Sequence, residues 1–231
     1  MKVFTSLDWI TLILFFIGLG YIIWRVINQK QDSPEQYFLA GRNLGWFVIG
    51  ASIFASNIGS EHIVGLAGTA ANSGMVMGHY ELHSWIILLL GWVFVPFYMR
   101  STVFTMPEFL ERRYSSESRW LLSIISLVGY ILTKVSATVY AGAVVFQTLI
   151  GIEFWSGALT IVLLTGAYTI FGGLRAVIYT DALQAIVLIL GSLTISIIGL
   201  AKIGGFGNLV ETVGPSHFNM FFPADHPEFP W

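Results

Sequence analysis

Asn57, Glu61 and His62 stand within the stretch Phe54-Ala55-Ser56-Asn57-Ile58-Gly59-Ser60-Glu61-His62-Ile63-Val64-Gly65, which is otherwise apolar enough to enter a membrane. An amide, a carboxylate and an imidazole together offer hydrogen-bond donors and acceptors in several directions. An ionised residue at mid-membrane costs roughly 2.5–3.5 kcal/mol on insertion scales, so such groups are kept where they face a bundle interior or a watery cavity. The chemistry this suggests is a substrate or ion pathway. Ser56-Asn57-Ile58-Gly59-Ser60 concentrates helix-weakening residues and predicts a break near residues 55–60. Unwound backbone at membrane depth frees carbonyls to ligate a cation and aims half-helix ends at a substrate. His62, about one turn beyond, reads as a ligand contact together with Asn57. Glu61 is one position from His62 and faces another way; it reads as a charge favoured at a helix start.

Three further groups have polar chemistry in apolar surroundings. His79 and His83 are four apart, with Glu81 between them, which suits a metal-binding helix face. No Glu stands beside the first His in the metalloprotease manner, and interfacial histidines are the competing reading. Lys134 lies mid-way along an apolar segment and calls for an internal partner. Asp181 follows Tyr179-Thr180, and its one basic neighbour near helical spacing, Arg175, is six residues back. An acid there attracts a cation at the inner mouth of a pathway; a solvated helix-end carboxylate is the rival.

The elements that position these groups are membrane helices. Of 231 residues, 55% are hydrophobic and only 10% charged, with mean hydropathy +0.76; a soluble domain carries about 25% charged residues. The absence of cysteine excludes disulfides, thiolate metal sites and cysteine nucleophiles. A span needs ~20 apolar residues, and segments of about this kind fall at 8–27, 45–71, 79–99, 119–149, 156–171 and 174–203. Thr105-Met106-Pro107-Glu108 starts a short amphipathic helix, with Phe109, Leu110 and Tyr114 on its bilayer side. If the spans alternate, eight of the 11 Lys and Arg residues fall on one side: Arg25, Lys30, Arg42, Arg100, Arg112, Arg113, Arg119 and Arg175. The positive-inside rule then puts the N-terminus outside, in a multi-pass protein of the cell membrane. Residues 204–231, rich in Gly and Pro, read as an extracellular loop, and the chain is expected to continue beyond Trp231.

Several stretches, in order, resemble the sodium/solute symporter family, and its sodium/glucose cotransporter branch in particular. They are Tyr37-Phe38-Leu39-Ala40-Gly41-Arg42, Ala55 to His62, Thr105-Met106-Pro107-Glu108-Phe109-Leu110, Gly172-Gly173-Leu174-Arg175-Ala176-Val177 and Tyr179-Thr180-Asp181-Ala182-Leu183-Gln184. The resemblance implies an all-α integral membrane protein of the leucine-transporter type. That fold has an extra N-terminal helix followed by two inverted five-helix repeats. On this alignment residues 1–27 supply the extra helix and 28–203 the first repeat only, so the partner of this chain is a C-terminal repeat of the same protein.

Residue by residue, the resemblance implies that Asn57, His62 and Glu81 contact sugar hydroxyls and that Ser84 matches a sugar-contacting serine. It implies that Leu66 and Tyr80 form the outer gate. The backbone carbonyls of Ala55 and Ile58 match two ligands of the family's shared sodium site, and Asp181 matches an acid tied to sodium coupling and release. The chain departs from the sugar branch at Leu82, where Trp is common, and at Thr138, where an Asp is replaced; the second change argues against a second sodium. The expectation is sodium-coupled symport of a sugar by alternating access, with no enzymatic activity and no nucleic-acid partner. The rivals are a symporter for an inositol, carboxylate or amino acid, a metal-dependent membrane enzyme built on His79 and His83, and a non-transporting sensor.

Overall fold

The computed structural model describes residues 4–29, 33–42, 44–59, 61–82, 84–226 and 228–229; at 35, 42, 61 and 80 it describes the backbone alone. Among the described residues the secondary structure is entirely helical. Helix α1 (Ser6–Ile27) opens on a reciprocal cap: the Asp8 amide donates to the Thr5 hydroxyl while the Asp8 carboxylate accepts from the Thr5 amide at 2.7 Å. At 1.5 Å per residue its length is about 33 Å, close to the thickness of a bilayer's hydrocarbon core.

A short α2 (Pro34–Leu39) and α3 (Trp46–Asn57) follow. The chain then resumes as a wide π-helical turn over Glu61–Leu66 that runs into α4 (Ala67–Ser73). A tight turn over Gly74–Met77 leads to α5 (Gly78–Glu81), α6 (Ser84–Leu89) and α7 (Val95–Arg100), the last two joined by a π-helical turn at Leu90–Phe94. Beyond the linker come α8 (Met106–Arg113), α9 (Ser116–Tyr130) and α10 (Ser136–Ile150), with a further π-helical turn at Ile131–Val135 that contains Lys134. The last elements are α11 (Phe154–Ile203) and α12 (Phe206–Val213).

Helix α11 is interrupted at Gly173, whose φ of 60° and ψ of −165° form a conformation open to glycine. Near this break the Tyr37 hydroxyl donates to the Ile170 carbonyl at 2.8 Å. This bond ties α2 to α11.

Among the described residues, Ser6–Ile27, Ser116–Ile150 and Phe154–Ile203 are each long and apolar enough to cross a membrane, and Trp46–Asn57 with His62–Met77 qualifies as a broken pair. Large apolar side chains face outward, as with Trp85 at 69% and Ile195 at 73% exposed. Such a surface suits hydrocarbon, and the chain is an integral, multi-pass membrane protein.

The chain divides into two compact units. The first comprises residues 1–63 and 138–209. Its core lies where α11 packs against α3 and α1, and the buried residues are small: Ala176, Ala185, Ser52 and Thr180, with Asp181 among them. Small side chains let helix backbones approach closely. The second comprises residues 64–137 and 210–231. In it Phe109 lies edge-on to Phe97 and Tyr98, with ring centroids 5.8 and 5.2 Å apart, and so packs on α7. Also in this unit, the Gly74–Met77 turn packs against the short helical turn Pro215–Phe218.

Candidate functional site

Helix α3 ends at Asn57, and Ile58 caps it in an extended conformation (φ −98°, ψ 102°). The hydrogen bonds around this end depart from helical order in one informative way. In a continuing helix the Gly59 amide would donate to the Ala55 carbonyl, and the His62 amide to the Ile58 carbonyl. Instead the Gly59 amide donates to His62 Nδ1 at 3.3 Å, and the His62 amide donates to the Gly59 carbonyl at 3.1 Å. Ala55 and Ile58 therefore both lose their helical donors. Two carbonyl oxygens without their helical donors, within one turn, are hard, neutral ligands of the kind an alkali cation takes.

His62 stabilises this arrangement. Its Nδ1 is the acceptor for Gly59, so the neutral ring carries its proton on Nε2. Asn57 turns its amide back along α3, donating from Nδ2 to the Ile53 carbonyl at 2.9 Å, which leaves its side-chain oxygen as an acceptor.

Asp181 lies on α11 in the same unit and is only 8% exposed. Its Oδ2 accepts from the Ser52 hydroxyl at 2.7 Å and from the Ser56 hydroxyl at 3.1 Å. It is thus a buried, doubly hydrogen-bonded carboxylate and not a solvated helix-end residue. A buried carboxylate needs such donors to offset the loss of water. Ser52 is the functional candidate that sequence reading missed. The available signal was its spacing of four from Ser56, which puts both hydroxyls on one face of α3.

In the second unit Leu66 closes the π-helical turn and is half-buried. Glu81 ends α5, and the Ser84 hydroxyl at the start of α6 donates to the Glu81 carbonyl at 2.8 Å. His79 Nδ1 lies 2.5 Å from the Val76 carbonyl, and its ring packs on Phe221 with centroids 5.8 Å apart. The Tyr80 side chain, Ser60 and His83 lie outside the described residues. Among the described residues no group of three His, Asp or Glu is placed to hold a metal ion in the manner of an enzyme centre. Asn57 and His62 belong to the first unit, and Leu66, Glu81 and Ser84 to the second.

The profile of the sodium:solute symporter family matches residues 37–222. The chain belongs to that family. Among its relatives, sodium/glucose cotransporter 1 of Oryctolagus cuniculus is 42% identical over 204 residues, covering 87% of this chain and 31% of that protein. The sodium/myo-inositol cotransporter of Mus musculus is 44% identical over 188 residues, covering 80% of this chain and 26% of that protein. The chain thus spans about a third or less of the length of these relatives. Among solved structures, a Na+-coupled sialic acid symporter in a substrate-bound outward-open state superposes with a TM-score of 0.76 at 25% identity, covering 86% of this chain and 42% of that one. The fold of this symporter-family chain is therefore of the leucine-transporter type.

Proposed function

We propose that this chain is the N-terminal part of a sodium-coupled symporter that moves a sugar or a closely related polyol by alternating access. The observation that carries this reading is the pair of carbonyls, Ala55 and Ile58, left without helical donors at the break after α3. They are two ligands of a sodium site completed by polypeptide beyond this chain. Residues 1–27 form an extra N-terminal helix, 28–203 a first five-helix repeat and 204–231 an extracellular loop, with the N-terminus outside.

In this account Asn57, His62, Glu81 and Ser84 hydrogen-bond the solute's hydroxyls. Amide oxygen and carboxylate accept, while imidazole Nε2–H and the serine hydroxyl donate. Leu66 and Tyr80 shield the bound solute from outside. Asp181 acts on sodium as it leaves toward the inside. Hexose and cyclitol are both within the class, since glucose and myo-inositol cotransporters stand at similar identity. Sodium movement down the membrane potential supplies about 2.3 kcal/mol per charge per 100 mV, and no bond in the solute is made or broken.

Uptake of labelled glucose and of labelled myo-inositol by the full-length transporter in proteoliposomes tests this. Saturable uptake of at least one, driven by an inward sodium gradient, is the expected result. Uptake that is equal in sodium and in choline, or absent for both solutes, overturns it.

A further inference from the structure

The stretch from the end of α7 to the first turns of α9 carries four arginines, and the structure treats them unequally. Arg112 is committed: it pairs with Glu108 one turn back and donates to the Ser101 carbonyl at 3.1 Å. Arg119 is committed to Glu111 at 2.6 Å. Among the described residues, Arg100 and Arg113 have no carboxylate partner. The guanidinium carbon of Arg113 lies 5.5 Å from the centroid of the Tyr114 ring. The Arg112–Ser101 hydrogen bond links the two segments that carry these arginines, since Ser101 follows Arg100 and Arg112 precedes Arg113.

Their surroundings are those of a membrane interface. Tyr114 and Trp120 are 67% and 68% exposed, and such rings settle at the level of lipid headgroups. Met106 is seven residues before Arg113 and therefore on the same stripe of α8, and it too is exposed. Apolar stem below and guanidinium above is the arrangement of a side chain that snorkels toward headgroups. A favourable position near a helix C-terminus accounts for basic residues at 100 and 113 in part. It does not account for the exposed Tyr114 ring beside Arg113.

We infer that Arg100 and Arg113, flanking the Arg112–Ser101 contact, form a binding site for the headgroup of an anionic phospholipid. The guanidinium forks hold phosphate oxygens in the bidentate manner that lysine cannot reproduce, and Tyr114 and Trp120 flank the glycerol region. The site is separate from the transport reading and stands without it.

The test is native mass spectrometry of the full-length protein released from micelles containing equal phosphatidylglycerol and phosphatidylcholine. The wild type is expected to retain phosphatidylglycerol in preference. R100Q and R113Q should each lower that retention about fivefold, the worth of one basic residue near an anionic surface, while R113K keeps part of it. Excess inorganic phosphate should displace little, which separates a lipid headgroup from a free anion. Circular dichroism checks folding of each variant. Equal retention of the two lipids by the wild type overturns the proposal, and so does wild-type retention by folded R100Q and R113Q. If R113Q does not fold, R113K and the wild-type preference decide by the same criteria.

Discussion

The Ser52 hydroxyl donates a 2.7 Å hydrogen bond to the Asp181 carboxylate across 129 residues of sequence. It is the shortest of the described bonds joining α3 to α11, and it sits where α3 and α11 bury their smallest side chains. Ser56 adds a second donor from the next turn, at 3.1 Å. The same helix whose last carbonyls lack their helical donors is thereby fastened, one turn earlier, to the acid proposed to guide sodium.

Removing the better donor should therefore cost more than removing the weaker one. A hydrogen bond to a charged group is worth about 1.5–3 kcal/mol. Ser52→Ala is expected to lower thermal stability and raise the sodium concentration for half-maximal uptake roughly tenfold, and Ser56→Ala to do less of both. Sodium activation curves and melting in detergent measure this. A larger effect from Ser56→Ala would show that the geometry of the pair has been misjudged.

Asp181→Asn keeps the shape and removes the charge. The expected outcome is a raised sodium requirement with a smaller change in intrinsic solute affinity. By linkage, apparent solute affinity should also fall at limiting sodium and converge with wild type at saturation. Superimposable activation curves would reduce Asp181 to a structural residue.

His62→Ala should weaken solute binding more than sodium binding. A lost hydrogen bond to a buried hydroxyl costs about 1–3 kcal/mol when its partner is left unpaired. A second, smaller effect on sodium is expected, because the Gly59 amide is released from Nδ1 and can return to Ala55. Binding isotherms for solute and sodium on the same preparation separate the two. Collapse of sodium dependence with solute affinity intact would contradict the assignment.

Gly74 has a φ of 76°, and a Cβ there would lie 2.3 Å from the His217 carbonyl oxygen. Gly74→Ala must then displace the 215–218 turn, at a cost of about 1–3 kcal/mol. Faster proteolytic cleavage between residues 214 and 226 is the expected readout, with an unchanged cleavage rate as the contrary one.

Glu108 caps α8 by accepting from the Phe104 amide at 2.8 Å, and this bond, with the Arg112 guanidinium beside it, holds its carboxyl below the ordinary value of 4.5. A folded-state value below the unfolded one gives stability that is present above pH 4.5 and lost as pH falls through the folded value. The stability difference between wild type and Glu108→Gln should hold steady near neutrality and vanish on acidification below that range. A difference that persists in acid would deny the carboxylate its role.

The helical membrane class was legible from composition, because too few charges remain to coat a watery surface. The break after α3 was legible because Ser, Asn and Gly in succession weaken a helix locally, and local propensity is what sequence displays. Ser52 was not legible: a serine in a membrane helix is ordinarily a packing residue, and only the tertiary approach of α11 reveals its acceptor. The contact of Phe109 with Phe97 and Tyr98 was not legible for a related reason: it exists only once α7 and α8 are placed side by side. The inequality among the four linker arginines was likewise invisible until their carboxylates were placed.

The central claim is that a cation completes the coordination of the Ala55 and Ile58 carbonyls, and Gly59→Ala tests it most directly. Alanine in place of glycine favours a continuous helix by about 1 kcal/mol. A helix that continues returns the Gly59 amide to Ala55 in competition with sodium. Sodium activation of solute uptake, measured for wild type and Gly59→Ala in the full-length transporter, should be saturable in both and shifted about fivefold to higher sodium in the variant, the equivalent of that free energy. Wild-type uptake that is indifferent to sodium, or a variant curve that overlays the wild type, would contradict the account.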